Sequence, residues 1–393
     1  MRRYFFLQNY VIFSEKTITA QWEWSKSWSK LVFSIKNSSR AVYCLYFSVY
    51  FAVDCLIYVN YMRIRYTLIL VFSLLCFSSF AQYREDELGE GLMCRTIDME
   101  DDYEGKVVCT LIKREATEKS DKALLYVHGF NDYFFQTEMA DRFNAEGYNF
   151  YAIDLRKYGR SLLPNQKRCN ARSIEEYFAD LDSAVNIIKR EGNNSIILMG
   201  HSTGGLTTSL YCHSKGDDCP VDALILNSPF FKFNMGDLLN DYVIPIVATI
   251  ASIIPTIDIP QGASTAYAES LLKSYHGEWE FDTNKKLMLS PDVTTDWISA
   301  IYNAQKVVWG GLDIKVPVLA MYSDNSVDGN EWCEDFMHGD AVLNVSDIAK
   351  YSQTLGDNVQ RAKIVGGIHD LLCSRPEVRE RAYRYIFYFL MRN

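Results

Sequence analysis

Short apolar runs alternate with amphipathic helical segments from Glu90 to the end of the chain. Runs of this length between turn-forming residues are typical of buried strands, and their alternation with helices predicts a mostly parallel sheet flanked by helices. Strands are expected at residues 107–113, 123–127, 149–153, 195–199, 221–226, 316–321 and 362–365. Helices are expected at 137–146, 203–213 and 376–391, and a further one from Ser173, which forms a capping box with Glu176. In such α/β sheets, functional groups collect at the carboxyl ends of the strands.

The alternation is interrupted between Phe230 and Asp313, which indicates a helical cap inserted between two core strands. This segment contains the apolar run YVIPIVATIASIIP, residues 242–255, which is too short to cross a bilayer. The run either lines an acyl-chain pocket, touches lipid, or covers the hydrophobic core.

Composition narrows the possible partners. Hydrophobic residues make up 48% of the 393 residues and the net charge is −9, so the chain is globular and lacks the basic stripe of a nucleic-acid-binding protein. Metal-ligand spacings, a phosphate loop and a dinucleotide fingerprint are all absent from the sequence. We therefore predict no metal, no cofactor and a small-molecule partner; the oligomeric state is left open.

Residues 62–81 have the composition of a secretory signal peptide, although they do not stand at the beginning of the chain. Two arginines precede an apolar stretch, and small residues stand in the positions of a cleavage site before Gln82. We predict that Met62 is the true start, that residues 1–61 are an over-extended N-terminus without a domain, and that the protein is exported. The alternative is that the apolar segment anchors the chain in a membrane.

Seven cysteines follow Gln82, an odd number, so at least one thiol remains without a partner in the chain. Cysteine use of this kind fits an exported protein. The candidate disulfides are Cys94–Cys109, Cys212–Cys219 and Cys333–Cys373.

The stretch LMGHSTGG, residues 198–205, holds Ser202 between two glycines in the pattern G-x-S-x-G. A predicted strand precedes it and a predicted helix follows, so Ser202 is expected on a strand-to-helix turn. Glycines are needed there because the turn is strained and the two elements pack closely. We predict that Ser202 is a nucleophile and that the N–H of Thr203 is one donor of an oxyanion hole. The alternative is a glycine-rich loop without chemistry.

His369 is the candidate base among the six histidines. It lies in IVGGIHDLL, on a loop between the last predicted strand and the last helix, where it can reach Ser202. The acid that orients this histidine is expected between the two, after the penultimate predicted strand, where Asp340 and Asp324 both qualify. Phe130, in LLYVHGFND, follows an early strand and is the expected second oxyanion donor.

With these residues in place, the chain from about residue 90 onward resembles the α/β-hydrolase family, in particular its monoacylglycerol lipase, lysophospholipase and serine aminopeptidase-like branch. The matching motifs are VHGF, DLRKYGRS, MGHSTGG and GGIHD. The resemblance implies an α/β-hydrolase domain over residues 90–393 with its cap at about 230–313. It also favours Asp340 over Asp324 as the acid, because GDAVLNV resembles the segment that carries the acid in this branch.

The resemblance implies a serine hydrolase that cleaves carboxylic esters through an acyl-enzyme and needs no cofactor. The apolar run in the cap favours a lipid-like ester, of the monoglyceride or lysophospholipid type, and contact with a membrane surface. A serine aminopeptidase is the alternative, since Glu269, Glu278, Glu280 and Asp282 in the cap are available to hold a substrate amine. A non-catalytic binding protein on the same scaffold is a further alternative.

Overall fold

The computed structural model describes residues 56–67, 82–236, 239–251, 256–262 and 264–393. The chain divides into two compact units, Met1–Phe80 and Ala81–Asn393. In the first unit the described part is one helix, α1, over residues 56–67. The rest of the predicted over-extended N-terminus and signal peptide lies outside the described residues. Within the described ranges, no helix has the length and apolar character needed to cross a membrane.

A nine-stranded sheet forms the centre of the second unit. The strands of this unit, including two short ones in the cap, are Arg84–Glu85 (β1), Met93–Asp102 (β2), Gly105–Arg114 (β3), Lys122–Val127 (β4), Asn149–Asp154 (β5), Ser195–His201 (β6), Ala223–Asn227 (β7), Asp258–Ile259 (β8), Val293–Thr294 (β9), Val318–Ser323 (β10) and Val359–Ile364 (β11). The order in the sheet is β1-β2-β3-β5-β4-β6-β7-β10-β11. Six strands of this sheet are parallel to one another: β5, β4, β6, β7, β10 and β11. At one edge, β1, β2 and β3 pair antiparallel, and β3 also pairs antiparallel with β5. The prediction of a mostly parallel sheet is confirmed.

Helices cover both faces of this sheet. They are Thr137–Ala145 (α2), Glu176–Arg190 (α3), Thr203–Lys215 (α4), Ile244–Ile250 (α5), Ala266–Leu271 (α6), Thr295–Trp309 (α7), Val345–Tyr351 (α8) and Pro376–Arg392 (α9). Buried side chains of α3, α4, α7 and α8 form the core on one face, and those of α2 and α9 form the core on the other. Central strands such as β4 and β7 are therefore buried on both faces, which explains their continuous apolar sequences.

Two details of the predicted elements are wrong. The edge strands β1 and β2 were not expected, because the sequence of β2, MCRTIDMEDD, is mostly polar and buries little of its surface. Helix α3 begins at Glu176, and Ser173 does not cap it. The N–H of Glu176 donates to the Ser173 carbonyl at 3.3 Å, so a tight turn precedes the helix, and the Glu176 carboxylate accepts from the N–H of Arg172 at 2.9 Å.

The segment between β7 and β10 forms the cap. It holds α5, α6 and α7, together with a two-stranded antiparallel sheet of β8 and β9. In α5, Ile244 and Ala248 are buried, whereas Ile246 and Ile250 are exposed. Helix α5, the part of the apolar run over Ile244–Ile250, therefore covers the fold with one face and presents a second apolar face to solvent.

The cysteines from Cys94 onward are free thiols, so the three candidate disulfides are wrong in this structure. Cys94 and Cys109 lie on the neighbouring strands β2 and β3 but out of register, because Cys94 stands opposite Ile112. Cys212 and Cys219 are close enough for the Cys212 thiol to hydrogen-bond to Cys219.

Candidate active site

Ser202 lies on the turn between β6 and α4, at the carboxyl edge of the sheet. Its backbone has a φ of 54° and a ψ of −117°, a strained conformation for a residue with a side chain. Gly204 allows α4 to begin against the end of β4, since a Cβ at this position would lie 2.4 Å from the carbonyl oxygen of His128. The structure thus has the strand, turn and helix that the pattern LMGHSTGG predicts.

Three side chains from separate loops meet at this turn. The Nε2 of His369 lies 3.0 Å from the Oγ of Ser202, and its Nδ1 lies 2.9 Å from Oδ2 of Asp340. The relative exposures are 7% for Ser202, 3% for His369 and 0% for Asp340. Because a carboxylate only accepts hydrogen bonds, Nδ1 carries the ring proton and Nε2 presents its lone pair to the serine hydroxyl. In this tautomer the imidazole can take the Ser202 proton.

The two candidate acids have different environments. Oδ1 of Asp340 accepts from two backbone N–H groups at 2.9 and 2.8 Å, which leaves Oδ2 to face His369. Asp324 directly follows β10, and its Oδ1 accepts from the N–H of Gly366 at 2.8 Å. A bridge between Ser326 and Asp340 returns the chain to the end of β10 after the inserted loop. The structure therefore brings Asp340, and not Asp324, to the histidine.

The loop after β4 closely approaches the candidate nucleophile. A Cβ on Gly129 would lie 3.0 Å from the Cβ of Ser202, so glycine is needed at this contact. Nε2 of His128 accepts from the N–H of Leu155 at 3.1 Å, so Nδ1 donates to the Gly129 carbonyl at 2.8 Å. That carbonyl and the N–H of Phe130 belong to one planar peptide group. By holding the carbonyl, His128 also fixes the direction of the Phe130 N–H, a role that the sequence reasoning missed.

Thr203, the other predicted oxyanion donor, is the first residue of α4. The first N–H groups of a helix have no intrahelical acceptor and carry the positive end of the helix dipole. Both predicted donors therefore stand on elements that meet at Ser202.

A second buried carboxylate, Asp370, lies directly after His369 and was also missed. It accepts hydrogen bonds from the side-chain amides of Asn227, at 2.7 Å, and Gln136, at 2.6 Å. Burial by itself would raise the pKa of Asp370, but His201 and the hydrogen bonds from Asn227 and the Cys373 thiol hold the pKa below its usual value. Asp370 thus ties the loop between β11 and α9, called the histidine loop because it carries His369, to the end of β7. Its place in the GGIHD motif is the signal that could have identified it.

Aromatic side chains lie beside His369 and beside Phe130. The ring of Tyr267, from α6, packs edge-on against His369 with centroids 5.7 Å apart. A cluster beside it contains Tyr133, Phe135, Leu271, Ile368 and Cys373, with Tyr267, Trp279 and Phe281 packed against it. A second group begins at Phe130 in the loop after β4, called the oxyanion loop from here on, and continues through the ring pairs Phe130–Trp297, Trp297–Phe233 and Phe233–Phe230. Across the described residues, no group of three or more His, Cys, Asp or Glu side chains is placed to hold a metal ion.

Comparison with known proteins gives one family and many similar folds. The model of the family described as serine aminopeptidase, S33, matches residues 118–327, more than half of the chain. A soluble variant of monoglyceride lipase from Saccharomyces cerevisiae, solved with a substrate analog, has a TM-score of 0.55 at 14% identity, covering 80% of this chain and 94% of that one. The monoacylglycerol lipase of Paleococcus ferrophilus has a TM-score of 0.52 at 17% identity, covering 72% and 99%. These likenesses establish the α/β-hydrolase fold.

Proposed function

The chain is a hydrolase of the serine aminopeptidase (S33) family, and we propose that it cleaves carboxylic esters with Ser202 as nucleophile, His369 as base and Asp340 as the orienting acid. The observation that carries this proposal is the continuous hydrogen-bonded line from Ser202 Oγ through the imidazole to the Asp340 carboxylate. Groups in this arrangement activate a serine hydroxyl on unrelated folds, so the geometry is a stronger guide than the fold.

The reaction follows from the positions of these atoms. The Ser202 hydroxyl gives its proton to Nε2 of His369 as Oγ bonds to the substrate carbonyl carbon, and the N–H groups of Phe130 and Thr203 hold the oxyanion. The intermediate then expels the alcohol, which takes the proton from His369 and leaves an acyl-enzyme. Water attacks the acyl-enzyme by the same route, releasing the acid and restoring Ser202.

An apolar acyl group suits the surroundings of Ser202. Aromatic rings adjoin both His369 and Phe130, and contacts of this type favour hydrocarbon over charged substrate groups. The fold neighbours named as monoglyceride lipases support the same class. The exposed face of α5 presents Ile246 and Ile250 to solvent, which supports contact with a lipid surface where such esters are found. We therefore propose a monoglyceride or lysophospholipid type of ester.

The cap carboxylates that could hold a substrate amine are engaged by other residues of the protein. A substrate amine needs a carboxylate that faces the site, but each of the four candidates named from the sequence already has a cation or a hydrogen-bond donor from the protein. The pairs are Glu269 with Thr265, Glu278 with Arg379, Glu280 with Lys273, and Asp282 with Lys285. Asp132, which lies near the site, is bound by Lys286 at 2.9 Å. These contacts count against the four cap carboxylates as ligands for a substrate amine, and the anilide assay below compares the two substrate classes directly.

The test is covalent labelling with a fluorophosphonate together with turnover of p-nitrophenyl esters of two to sixteen carbons and of aminoacyl p-nitroanilides. Labelling of the wild type, and of the matched control Ser209→Ala on the same helix, is expected, with none in Ser202→Ala. Ester turnover that rises with chain length supports the lipid-like substrate, and faster anilide turnover assigns the protein to the peptidases. A folded wild type that neither labels nor turns over substrate would overturn the proposal and favour a binding protein.

We also propose that residues 62–81 direct export. Export exposes the mature protein to lipid and ester substrates outside the cytoplasm. N-terminal sequencing of natively produced protein is expected to begin at Gln82, whereas an N-terminus at Met1 would contradict this proposal.

A further inference from the structure

The loop that follows Phe130 is attached to a distant segment of the cap. The side-chain amide of Asn131 donates to the carbonyl of Leu287 at 2.8 Å and accepts from the N–H of Leu287 at 3.0 Å. Asn131 has a φ of 49°, a left-handed conformation that asparagine tolerates better than most residues. This two-point contact joins residues 156 positions apart in the chain.

The next two loop residues hold the same segment. Asp132 pairs with Lys286 at 2.9 Å, and both side chains are buried. The hydroxyl of Tyr133 then accepts from the N–H of Asp282 at 2.8 Å. Three consecutive loop residues, 131 to 133, are therefore bound to cap residues between 282 and 287. Separating these residues would leave buried polar and charged groups without partners, which costs free energy. The loop and the cap segment are therefore expected to move together.

The same cap segment also reaches the histidine loop through the GEWEFD motif, residues 277–282. The indole N–H of Trp279 donates to the carbonyl of Cys373, four residues after His369, at 2.8 Å. The ring of Trp279 also packs against Phe135 with centroids 6.1 Å apart. The N–H of Trp279 donates to the carbonyl of Leu271 at 2.9 Å, which ties the motif to the end of α6.

We propose that cap residues 277–287 form a clamp that holds the oxyanion loop and the histidine loop in register over Ser202. In this proposal, which rests on the proposed function, Asn131 and Trp279 are positioning residues that do not touch the substrate. The clamp is needed because the two loops follow strands β4 and β11, which lie on opposite sides of β6, the strand that leads to Ser202. Misplacing an oxyanion donor weakens transition-state binding more than substrate binding.

The experiment compares two variants that remove side-chain hydrogen bonds of the clamp. Asn131→Gly removes both side-chain bonds at a position where glycine adopts the same φ without strain, and Trp279→Phe keeps a ring but loses the indole N–H. Lys273→Met is the matched control, since its ion pair with Glu280 reaches the clamp segment but joins it only to another cap residue. Each full-length protein is titrated for active sites with the fluorophosphonate, and kcat and KM are measured on one p-nitrophenyl ester.

We expect Asn131→Gly to lower kcat per active site by about 10- to 100-fold, below the 10²- to 10³-fold effect of deleting an oxyanion donor. We expect Trp279→Phe to lower kcat by about 3- to 10-fold, with KM within threefold of wild type for both variants and for the control. Unchanged kcat with a lower melting temperature would show a purely structural contact and overturn the clamp while the proposed function stands. A wild type that does not label would overturn both.

Discussion

Substituting Asp340 with asparagine tests the proposed acid at a single atom. Oδ1 of Asp340 accepts from two backbone N–H groups, so the oxygen of an asparagine amide would occupy this position and its NH2 group would face His369. The imidazole would then have to accept a hydrogen bond at Nδ1 and carry its proton on Nε2. In that tautomer, Nε2 donates toward Ser202 and cannot take the serine proton.

The expected loss of kcat follows from the loss of the tautomer in which His369 can act as base. The same substitution in a serine triad lowers kcat by about 10⁴-fold, which corresponds to roughly 5.6 kcal/mol in activation free energy at about 1.4 kcal/mol per tenfold change. Because asparagine has the shape of aspartate, the fold and KM are expected to change little. The assay is the steady-state hydrolysis of a p-nitrophenyl ester near pH 7.5, with circular dichroism as the check on folding.

Asp324→Asn is the matched control. Asp324 accepts from the N–H of Gly366, and an asparagine oxygen preserves that bond, so kcat is expected to stay within threefold of wild type. A loss below tenfold in Asp340→Asn, or a larger loss in Asp324→Asn, would refute the tautomer argument and the assignment of the acid.

Three further predictions concern the scaffold and its thiols. Gly204→Ala would place a methyl group 2.4 Å from a backbone carbonyl, so we expect about 1–3 kcal/mol lower stability and reduced fluorophosphonate labelling; an unchanged melting temperature would contradict this. Arg156→Met leaves the buried Asp180 carboxylate without its cation, so urea denaturation should show a loss of about 3–5 kcal/mol, and a loss below 1 kcal/mol would argue against a buried ion pair. The Cys212 thiol donates to Cys219 and lowers the pKa of Cys219 to about 7, so alkylation of Cys219, followed by peptide mass spectrometry, should reach half its maximal rate near pH 7. A half-maximal rate above pH 8 would exclude this hydrogen bond.

The strands of the central sheet were readable from sequence because their signal is local. Central strands are buried on both faces and so appear as continuous apolar runs, as in β4 and β7. The edge strand β2 escaped detection because only part of its surface is covered and its sequence is polar. The predicted capping box at Ser173 is wrong because residues 173–176 form a tight turn in front of α3, and this turn uses the backbone groups that the capping box would have needed.

In the site, too, some features follow from local sequence and others depend on the tertiary structure. The residues around Ser202 alone determine its strand-to-helix turn, because the strained backbone and the close approach of α4 require glycines within a few positions. The position of His369 follows from the order of the elements, since a loop after the last parallel strand must lie at the same edge of the sheet. Only the tertiary structure decides that Asp340 faces this histidine, because the path of the inserted loop depends on its bridge to Ser326. The contact between Asn131 and Leu287 likewise depends on folding, because it joins loops that no local pattern relates.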